Sequence, residues 1–592
     1  MTINEKLEKL REKMEKYNLD CYLEHNVDPH QSEYVADRWK TREWLSGFTG
    51  SVGTLVVTSK KSALWADGRY YIQAEKELNG SEIKLQKKGL EKTSKVHEWL
   101  SKNLKNNAKI GLNGKTYSEK YVSNLKKNIT LEDIEFITRY DIVDELWKDR
   151  PEIPRNKAFI HPPEYAGKTR AQKIKNIRKK MKEKKCSHLI ISTLDDIAWT
   201  LNIRGNDIKF NPYIISYLLI ENDNISFYVL EEKIDKKIKK QLEKDNISLK
   251  NYSKIVKDLQ KLSKKDKVWY SPETTNMWIV SSISEEANKY QKRVPTKLMK
   301  AKKNKKELKN LKNCQIKDGI AMVKFLIWLE ETIKEREIGE VEAAQKVNEF
   351  RKRQKYFIEP SFSPISAYKE NAAMMHYHAK EENQSFLKNK SFYLLDSGGQ
   401  YMDGTTDITR TIPMGVLSRE EKFHYTLTLK GHINLANSKF LYGATGSNLD
   451  VLSRKPLWEH NLDYKCGTGH GVGYLMGVHE GPQNISRTPN KIKLEEGMIV
   501  TIEPGIYIEG SHGIRIENDY VIVKDKKNNS DQFMKFKNMT YCPIDTQPII
   551  KDLLTEEEIK WLNDFHSKVF DKLAKHLNEE ERTWLKKKTK KL

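Results

Sequence analysis

The chain has 592 residues, which is too long for one compact core and implies several domains. Its 38% hydrophobic and 32% charged residues, mixed in sign, exclude an intrinsically disordered protein. The net charge of +24 comes from lysines spread along the whole chain, so we expect no nucleic-acid partner. The charged N-terminus and short apolar runs predict no signal peptide and no membrane association. Five scattered cysteines predict reduced thiols and a cytoplasmic protein.

The first half of the chain repeats a helix-then-strand order. A helix is predicted within residues 1–20 from its apolar spacing. The segments that follow are strands at Gly53–Val57 and Ser62–Trp65, a proline-containing linker at Arg150–Pro163, a helix at Ala171–Lys184 and a strand at His188–Ser192. The repetition predicts two α/β domains, residues 1–155 and 156–300, that are related to each other.

The composition changes near residue 300. Asn304–Glu335 predicts one or two long helices, and Ile338–Arg353 predicts another. From Ser391 onward the chain is rich in strands and glycine-containing turns, interrupted by a helix around Glu420–Ser438. The third region, residues 301–592, is therefore predicted to be an α+β domain.

Two aspartates of this third region lie where predicted strands meet turns. An apolar strand ends in Asp396, and Asp407 follows eleven residues later. The segment around Asp407 alternates with a period of two, which places Asp407 on the same face as Thr405 and Thr409. A hairpin turning through Gln400–Gly404 would bring the two aspartates side by side.

One histidine and two glutamates are placed in the same way. Four glycines surround His470, which allows close backbone approach and leaves the imidazole open to a ligand. A predicted strand ends on Glu503. A second strand, Gly513–Glu517, carries Arg515 and Glu517 on one face. The separation of the two glutamates is long enough for an antiparallel return.

These five side chains together indicate a metal site. Each acidic residue taken singly is more often a turn or capping residue, but five in one domain favour a shared role. About four negative charges in one pocket stay ionised only if a cation compensates them. Carboxylates with a single imidazole suit Mn²⁺, Co²⁺, Fe²⁺ or Zn²⁺. Two ions about 3.5–4 Å apart would activate a shared water as hydroxide, which predicts a hydrolase.

The motifs of the third region resemble a known family. They are Asp396–Thr411, Gly467–Gly473, Glu503–Gly505 and Gly513–Asn518. They resemble the catalytic domain of aminopeptidase P, in the pita-bread metallopeptidase group that also includes methionine aminopeptidase and prolidase. Further matches to the long, three-domain form are His30–Tyr34, Ser46–Ser51, Ala66–Ala74, Asp195–Trp199 and Asn211–Pro212. The resemblance implies two creatinase-like α/β domains followed by a pita-bread catalytic domain.

The resemblance also implies roles for individual residues. The implied ligands of a dinuclear site, usually manganese, are Asp396, Asp407, His470, Glu503 and Glu517. His376 and His479 would contact the scissile region and support the tetrahedral intermediate, and His378 could take the place of His376. Arg69 would help to bind the peptide. Apart from the resemblance, the position of Arg515 on the face of Glu517 predicts that it orients a carboxylate ligand.

The implied activity is removal of the first residue of a peptide when proline is second. The free amino terminus would bind one metal, and the metal-bridging hydroxide would attack the first carbonyl. Glu503 would take the proton and pass it to the proline nitrogen. The family also implies a homodimer formed through the catalytic domains.

One departure from the family and three alternative functions bear on this prediction. Cys466 stands where the family has a histidine that lines the substrate site, so we expect weaker catalysis or a changed preference at the proline side.

A methionine aminopeptidase or a dipeptide-only prolidase would not need both N-terminal domains. A non-enzymatic binding protein of this fold typically loses metal ligands, whereas all five are present here. A nucleic-acid-binding protein is supported by the net charge alone.

Overall fold

A six-stranded mixed sheet forms the N-terminal part of the computed structural model, which describes all 592 residues. Its strands are β1 (Cys21–His25), β2 (Thr54–Thr58), β3 (Ser62–Ala66), β4 (Lys84–Lys87), β5 (Lys109–Gly111) and β6 (Glu135–Ile137). The accompanying helices are α1 (Ile3–Lys16), α2 (Thr41–Ser46), α3 (Tyr71–Glu77), α4 (Val96–Asn103), α5 (Glu119–Asn128) and α6 (Ile142–Leu146). The strand order is β4-β3-β2-β1-β5-β6.

A second six-stranded sheet follows. The strands of this part are β7 (Phe159–Ile160), β8 (His188–Ile191), β9 (Ile203–Arg204), β10 (Ser216–Glu221), β11 (Ile225–Val229), β12 (Ile247–Lys250), β13 (Lys267–Tyr270) and β14 (Asn288–Gln291). Its helices are α7 (Pro163–Ala166), α8 (Arg170–Glu183), α9 (Leu194–Leu201), α10 (Lys236–Lys244), α11 (Lys254–Leu259), α12 (Met277–Ser282) and α13 (Thr296–Ala301). The sheet order is β12-β11-β10-β8-β13-β14, and β7 pairs with β9 outside it.

The two sheets have the same topology. In each, the first strand pairs antiparallel with the second and parallel with the fifth. The second and third strands are antiparallel, and the two outermost pairs are parallel. The relation between the two N-terminal segments that the sequence predicts is therefore present strand by strand.

Apolar spacing places the helices on these sheets. In α1, Leu7, Leu10 and Met14 are buried at helical spacing, as the sequence predicts, and Thr2 caps the first turn. The chain divides into two compact units. The first is Met1–Pro163 with Lys168–Lys297, and the second is Glu164–Gly167 with Leu298–Leu592. No helix combines the length and the hydropathy that a transmembrane segment requires.

The second unit is an α+β fold with long helices. They are α14 (Lys305–Glu335), α15 (Glu340–Lys352), α16 (Arg419–Ala436), α17 (Gly446–Trp458), α18 (Glu556–Leu573) and α19 (Glu579–Lys588). Its strands up to the middle helices are β15 (Phe357–Pro360), β16 (Ile365–Tyr368), β17 (Phe392–Ser397), β18 (Gly399–Tyr401), β19 (Gly404–Thr405) and β20 (Ile408–Pro413). Its later strands are β21 (Lys439–Leu441), β22 (Gly469–His470), β23 (Asn484–Ile485), β24 (Ile499–Ile502), β25 (Gly505–Ile508), β26 (His512–Arg515), β27 (Asn518–Lys527) and β28 (Gln532–Asn538).

The predicted strand Gly513–Glu517 is wrong at its C-terminal end. Strand β26 stops at Arg515, and β27 starts at Asn518. Between them the Ile516 N–H donates to the carbonyl of Pro504, and the Glu517 N–H donates to the carbonyl of Thr409. The chain leaves its pairing with β25 here and enters its pairing with β24. Glu517 is therefore held at a junction of strands.

Candidate metal centre

Asp396 and Asp407 are brought together by the pairing of β17 with β20. Asp396 lies opposite Thr409 in this antiparallel ladder, and Asp407 immediately precedes β20. A small hairpin, in which Gln400 pairs with Thr405, reverses the chain between them. Both carboxylates are buried. The predicted hairpin is thus present, and it turns within the predicted residues.

His470 and Glu503 reach the same place from two other strands. The His470 Nε2 atom lies 3.4 Å from Asp407 Oδ2 and 3.3 Å from Glu503 Oε1. The backbone N–H of His470 donates to Thr501 Oγ1 at 3.1 Å, and the Thr501 hydroxyl donates to Glu503 Oε1 at 3.1 Å. One threonine therefore aligns the imidazole and the carboxylate with each other.

Glu517 completes the group. Potential ligand atoms of Asp407, His470 and Glu517 all lie within 4.8 Å of one another. The Thr409 hydroxyl donates to Glu517 Oε2 at 2.8 Å. Arg515 donates to Asp396 Oδ2 at 2.6 Å through Nη2 and to Thr409 Oγ1 at 3.2 Å through Nε. The buried guanidinium thus contacts one carboxylate directly and reaches the second through Thr409.

The crowding of acidic groups raises their proton affinity. Burial, followed by the charges of Asp396, Asp519 and Glu503, raises the pKa of Asp407 well above its usual range. Burial and the charges of Asp407 and Glu503 raise the pKa of Glu517 in the same way. A cation bound beside these groups would oppose both shifts, because it favours the ionised form of each carboxyl.

The donor set fits a divalent metal centre. Asp396 Oδ1 and Asp407 Oδ1 are buried and have no hydrogen-bond partner, although their second oxygens are held. A buried carboxylate oxygen without a donor is costly unless a cation neutralises it. Four carboxylates and one imidazole supply the oxygen and nitrogen ligands that Mn²⁺, Co²⁺, Fe²⁺ and Zn²⁺ accept.

The two other predicted histidines differ in their surroundings. His479 has an exposed side chain, and its ring packs edge-on against His470 with 4.3 Å between centroids. The residue after it, Glu480, is buried in ion pairs with Lys300 and Lys303. His376 is half-buried in the segment that connects β16 to β17, whereas His378 is exposed.

Two further predicted positions have defined environments. Arg69, in the first unit, donates two hydrogen bonds to Asp67, at 2.9 Å and 2.8 Å. Cys466 is half-buried and packs against an apolar cluster that includes Leu457 and Ile506.

Sequence reasoning missed the hydroxyl and carboxylate groups that support the predicted ligands. The sequence pattern predicts Thr409 only as a neighbour of Asp407 on one face, and it predicts no role for Thr501. Asp519 accepts from the Asp407 N–H at 3.3 Å and from Gln315 at 2.5 Å, and burial raises its pKa to about 7. The available signal is the even spacing of Thr501 from Glu503 and of Asp519 from Glu517, which would place each pair on one face of a continuous strand.

Family comparisons cover nearly the whole chain. Residues 6–146 and 149–307 each match the creatinase/prolidase N-terminal domain, residues 309–524 match metallopeptidase family M24, and residues 532–592 match the C-terminal region of that peptidase. The Xaa-Pro aminopeptidase 1 of Dictyostelium discoideum is 37% identical over 611 residues, covering 99% of this chain and 96% of the relative. The chain belongs to the Xaa-Pro aminopeptidase family.

Two other members of the family show the same extent of similarity. A probable Xaa-Pro aminopeptidase P of Paracoccidioides brasiliensis is 38% identical, covering 99% of this chain and 98% of the relative. A crystal structure of X-prolyl aminopeptidase from Caenorhabditis elegans matches with a TM-score of 0.97 at 36% identity, and both chains are covered completely. That protein is described as a cytosolic enzyme with a di-nuclear active site. Two creatinase-like domains and a pita-bread catalytic domain therefore make up the fold, as predicted.

Proposed function

We propose that the chain is an Xaa-Pro aminopeptidase, which hydrolyses the bond between the first residue of a peptide and a following proline. The observation that carries this proposal is the convergence of Asp407, His470 and Glu517, with Asp396 and Glu503 beside them, in a chain that matches such enzymes from end to end. Its partners would be peptides with proline at the second position.

Two divalent ions, for which we propose manganese, would be held by a set of five side chains. They are Asp396, Asp407, His470, Glu503 and Glu517. When bound, such ions convert a water into a hydroxide nucleophile at neutral pH and polarise the scissile carbonyl. Arg515 would orient Asp396 toward the ions, and the Thr409 hydroxyl would orient Glu517 in the same way. Each of them fixes one oxygen of the carboxylate that it contacts.

Glu503 is the proposed general base. Its carboxylate is half-buried, and Thr501 holds one of its oxygens at 3.1 Å. It would accept the proton of the attacking water and later deliver it to the proline nitrogen. His479 and His376 would donate to the oxygen that becomes negative in the tetrahedral intermediate. Arg69 is proposed to bind peptide substrate.

The organisation of the protein is part of the proposal. We place the domain boundaries near residues 155 and 300, since all strands of each six-stranded sheet lie within one of the segments that these boundaries define. A homodimer through the catalytic domains and a cytosolic location are proposed from the family, to which the cytosolic enzyme of Caenorhabditis elegans belongs.

The decisive experiment measures cleavage by metal-free and Mn²⁺-loaded protein. Chelator-stripped protein would be incubated, with and without Mn²⁺, with Arg-Pro-Pro, Met-Ala-Ser and an Xaa-Pro dipeptide, and the products identified by mass spectrometry. We expect metal-dependent release of arginine from Arg-Pro-Pro. Cleavage of Met-Ala-Ser alone would identify a methionine aminopeptidase, and cleavage of the dipeptide alone would identify a prolidase.

Glu503→Gln tests the proton-transfer role. We expect kcat to fall by about 10²–10⁴-fold, because an amide cannot accept the proton. Rates would be measured on Arg-Pro-Pro at saturating Mn²⁺, and the bound manganese would be quantified by elemental mass spectrometry. Glu496→Gln, at an exposed glutamate that pairs with Lys524, is the matched control. Full activity of the Glu503 variant with metal bound would exclude this role.

A further inference from the structure

The segment that carries His376 is closed at both ends by one buried carboxylate. This histidine segment, residues 369–385, is the first part of the connection between β16 and β17. The backbone N–H of Tyr368, just before it, donates to Glu340 Oε1 at 2.6 Å. The backbone N–H of Ser385, at its far end, donates to Glu340 Oε2 at 2.8 Å. Glu340 thus holds the two ends of the segment together.

The same carboxylate also binds the middle of the segment. Asn371 Nδ2 lies 3.0 Å and 3.2 Å from the two oxygens of Glu340. The Tyr377 hydroxyl donates to Glu340 Oε2 at 2.8 Å, and Tyr377 immediately follows His376. Asn371 Nδ2 also lies within hydrogen-bond distance of the hydroxyl oxygens of Tyr377 and Ser385, at 3.1 Å and 3.0 Å. The backbone on one side of His376 is therefore tied to Glu340 through a single side chain.

Only a carboxylate satisfies this set of donors. Glu340 is 0% exposed, and its bonds come from neutral groups on the segment and its flanks. Burial raises the pKa of Glu340, and the hydrogen bonds to its two oxygens oppose this shift because they favour the ionised form. A buried carboxylate is tolerated when both of its oxygens are hydrogen-bonded. A glutamine would turn an NH₂ group toward donors, because an amide offers one acceptor oxygen where a carboxylate offers two.

The histidine segment packs against β26, the strand that leads to Arg515 beside the candidate metal centre. A Cβ atom placed on Gly513 would lie 1.8 Å from the carbonyl oxygen of Ala372, so the segment lies in direct backbone contact with β26. This strand ends in Arg515, which donates to Asp396. The segment is therefore fixed on one side by Glu340 and on the other by the strand that supports a predicted ligand.

We propose that Glu340 is a positioning residue for catalysis, which acts through Tyr377 to fix the location of His376. This inference rests on the proposed function and on the role of His376 within it. A hydrogen-bond donor contributes to transition-state stabilisation only when it is held close to where the oxyanion develops. Glu340 would supply that restraint from a position that does not touch substrate.

The test is a set of single and double variants assayed on Arg-Pro-Pro with Mn²⁺ bound. Tyr377→Phe removes one donor to Glu340 and keeps the ring. We expect kcat to fall by about tenfold with KM changed by less than about twofold. Glu340→Gln should act in the same direction with a larger loss. Tyr425→Phe removes another buried tyrosine hydroxyl, one that donates to the carbonyl of Asp545 at 2.8 Å and makes no bond to Glu340, and it controls for the loss of a tyrosine hydroxyl.

The combination with His376→Ala separates positioning from general destabilisation. In the His376→Ala background, Tyr377→Phe should change kcat by less than about twofold, because the group that it positions is gone. Hydrogen exchange, read by mass spectrometry, should rise within residues 369–385 in the Tyr377→Phe protein and stay unchanged in residues 216–229.

The outcomes distinguish this inference from the proposed function. Equal losses from Tyr377→Phe in both backgrounds, or no loss in the wild-type background, would overturn the inference while Xaa-Pro cleavage stands. Full activity of His376→Ala would remove the role of His376 and the inference with it. Absence of cleavage by the unmodified Mn²⁺ enzyme would overturn the proposed function itself.

Discussion

Individual side chains with no predicted role determine how the acidic groups of the catalytic unit face one another. Thr409 accepts from Arg515 and donates to Glu517, and Thr501 links the backbone of His470 to Glu503. Each hydroxyl can donate and accept at once, so it joins two groups that would otherwise be oriented independently. Small polar residues on strands are common in any sheet, so the even spacing of Thr409 and Thr501 from the predicted ligands is only a weak signal in the sequence.

At the same scale, buried neutral histidines make stability depend on pH. His25 is buried, stacks on Tyr117 and lies with Nε2 3.1 Å from the carbonyl of Thr116. Burial, with a smaller contribution from Arg42, lowers its pKa to about 4. Since the unfolded state binds a proton near pH 6.5 and the folded state does not, the stability supported by neutral His25 is present above pH 6.5 and is lost as pH falls toward 4.

We therefore expect His25→Phe to reduce the acid sensitivity of the first unit. Phenylalanine keeps the stacking on Tyr117, and the Thr116 carbonyl still accepts from Gln31 at 2.8 Å. Between pH 7 and pH 5 the variant should lose about 2 kcal/mol less unfolding free energy than the wild type. Urea unfolding at both pH values measures this difference. His97→Gln, at a partly exposed ring, is the control, and an unchanged pH dependence in His25→Phe would contradict the prediction.

At the scale of elements, the long helix α14 begins the catalytic unit at a well-defined cap. The Asn304 side chain accepts from the backbone N–H groups of Lys306 and Glu307. In turn, the backbone N–H of Asn304 donates to the carboxylate of Glu307. The preceding residue, Lys303, is buried in its ion pair with Glu480, next to His479. The start of α14 is thus joined to the part of the chain that carries a predicted substrate-binding histidine.

Removal of this cap should destabilise the catalytic unit. We expect Asn304→Ala to lower the unfolding free energy by about 1–2 kcal/mol, because two N–H groups lose their acceptor. Asn304→Asp keeps the acceptor and should recover most of the loss, although it gives up the donor to the Ala166 carbonyl at 2.9 Å. Thermal unfolding of the three proteins at equal Mn²⁺ measures the effect. Equal melting temperatures for the Asn304→Ala variant and the wild type would refute the capping role.

Element boundaries were predictable where local signals were strong. The region Asn304–Glu335, predicted as one or two helices, is a single helix from Lys305 to Glu335, and Asn304 with Glu307 is a local signal for its start. The end of β26 was not predictable, because it depends on the acceptors offered by Thr409 and Pro504, which are distant in sequence. Where a strand exchanges one partner for another, its own residues still alternate, and the pattern alone predicts continuity.

For the molecule as a whole, the five cysteines are distributed as expected for reduced thiols. Four of them are buried and only Cys466 is partly exposed. Burial raises the pKa of the thiols of Cys314 and Cys542, which further reduces their reactivity.

We expect a thiol reagent such as dithionitrobenzoate to find about one fast-reacting group in the native protein and five after denaturation. Cys466→Ser should abolish the fast reaction and leave the slow reaction of the others unchanged. Several fast thiols in the native wild type would contradict the burial described here. The measurement is the amount of chromophore released per protein as a function of time, read from its absorbance.

The sequence by itself determined the fold class, the repeated α/β organisation and the five acidic and histidine residues that meet near one another. Those features depend on periodicity, on glycine-flanked motifs and on order along the chain, all of which are local. Only the tertiary structure decided which groups hold these side chains. Glu340 shows the reason: it lies at the start of a helix like many other glutamates, and it becomes a buried acceptor only because the chain from Tyr368 to Ser385 folds over it.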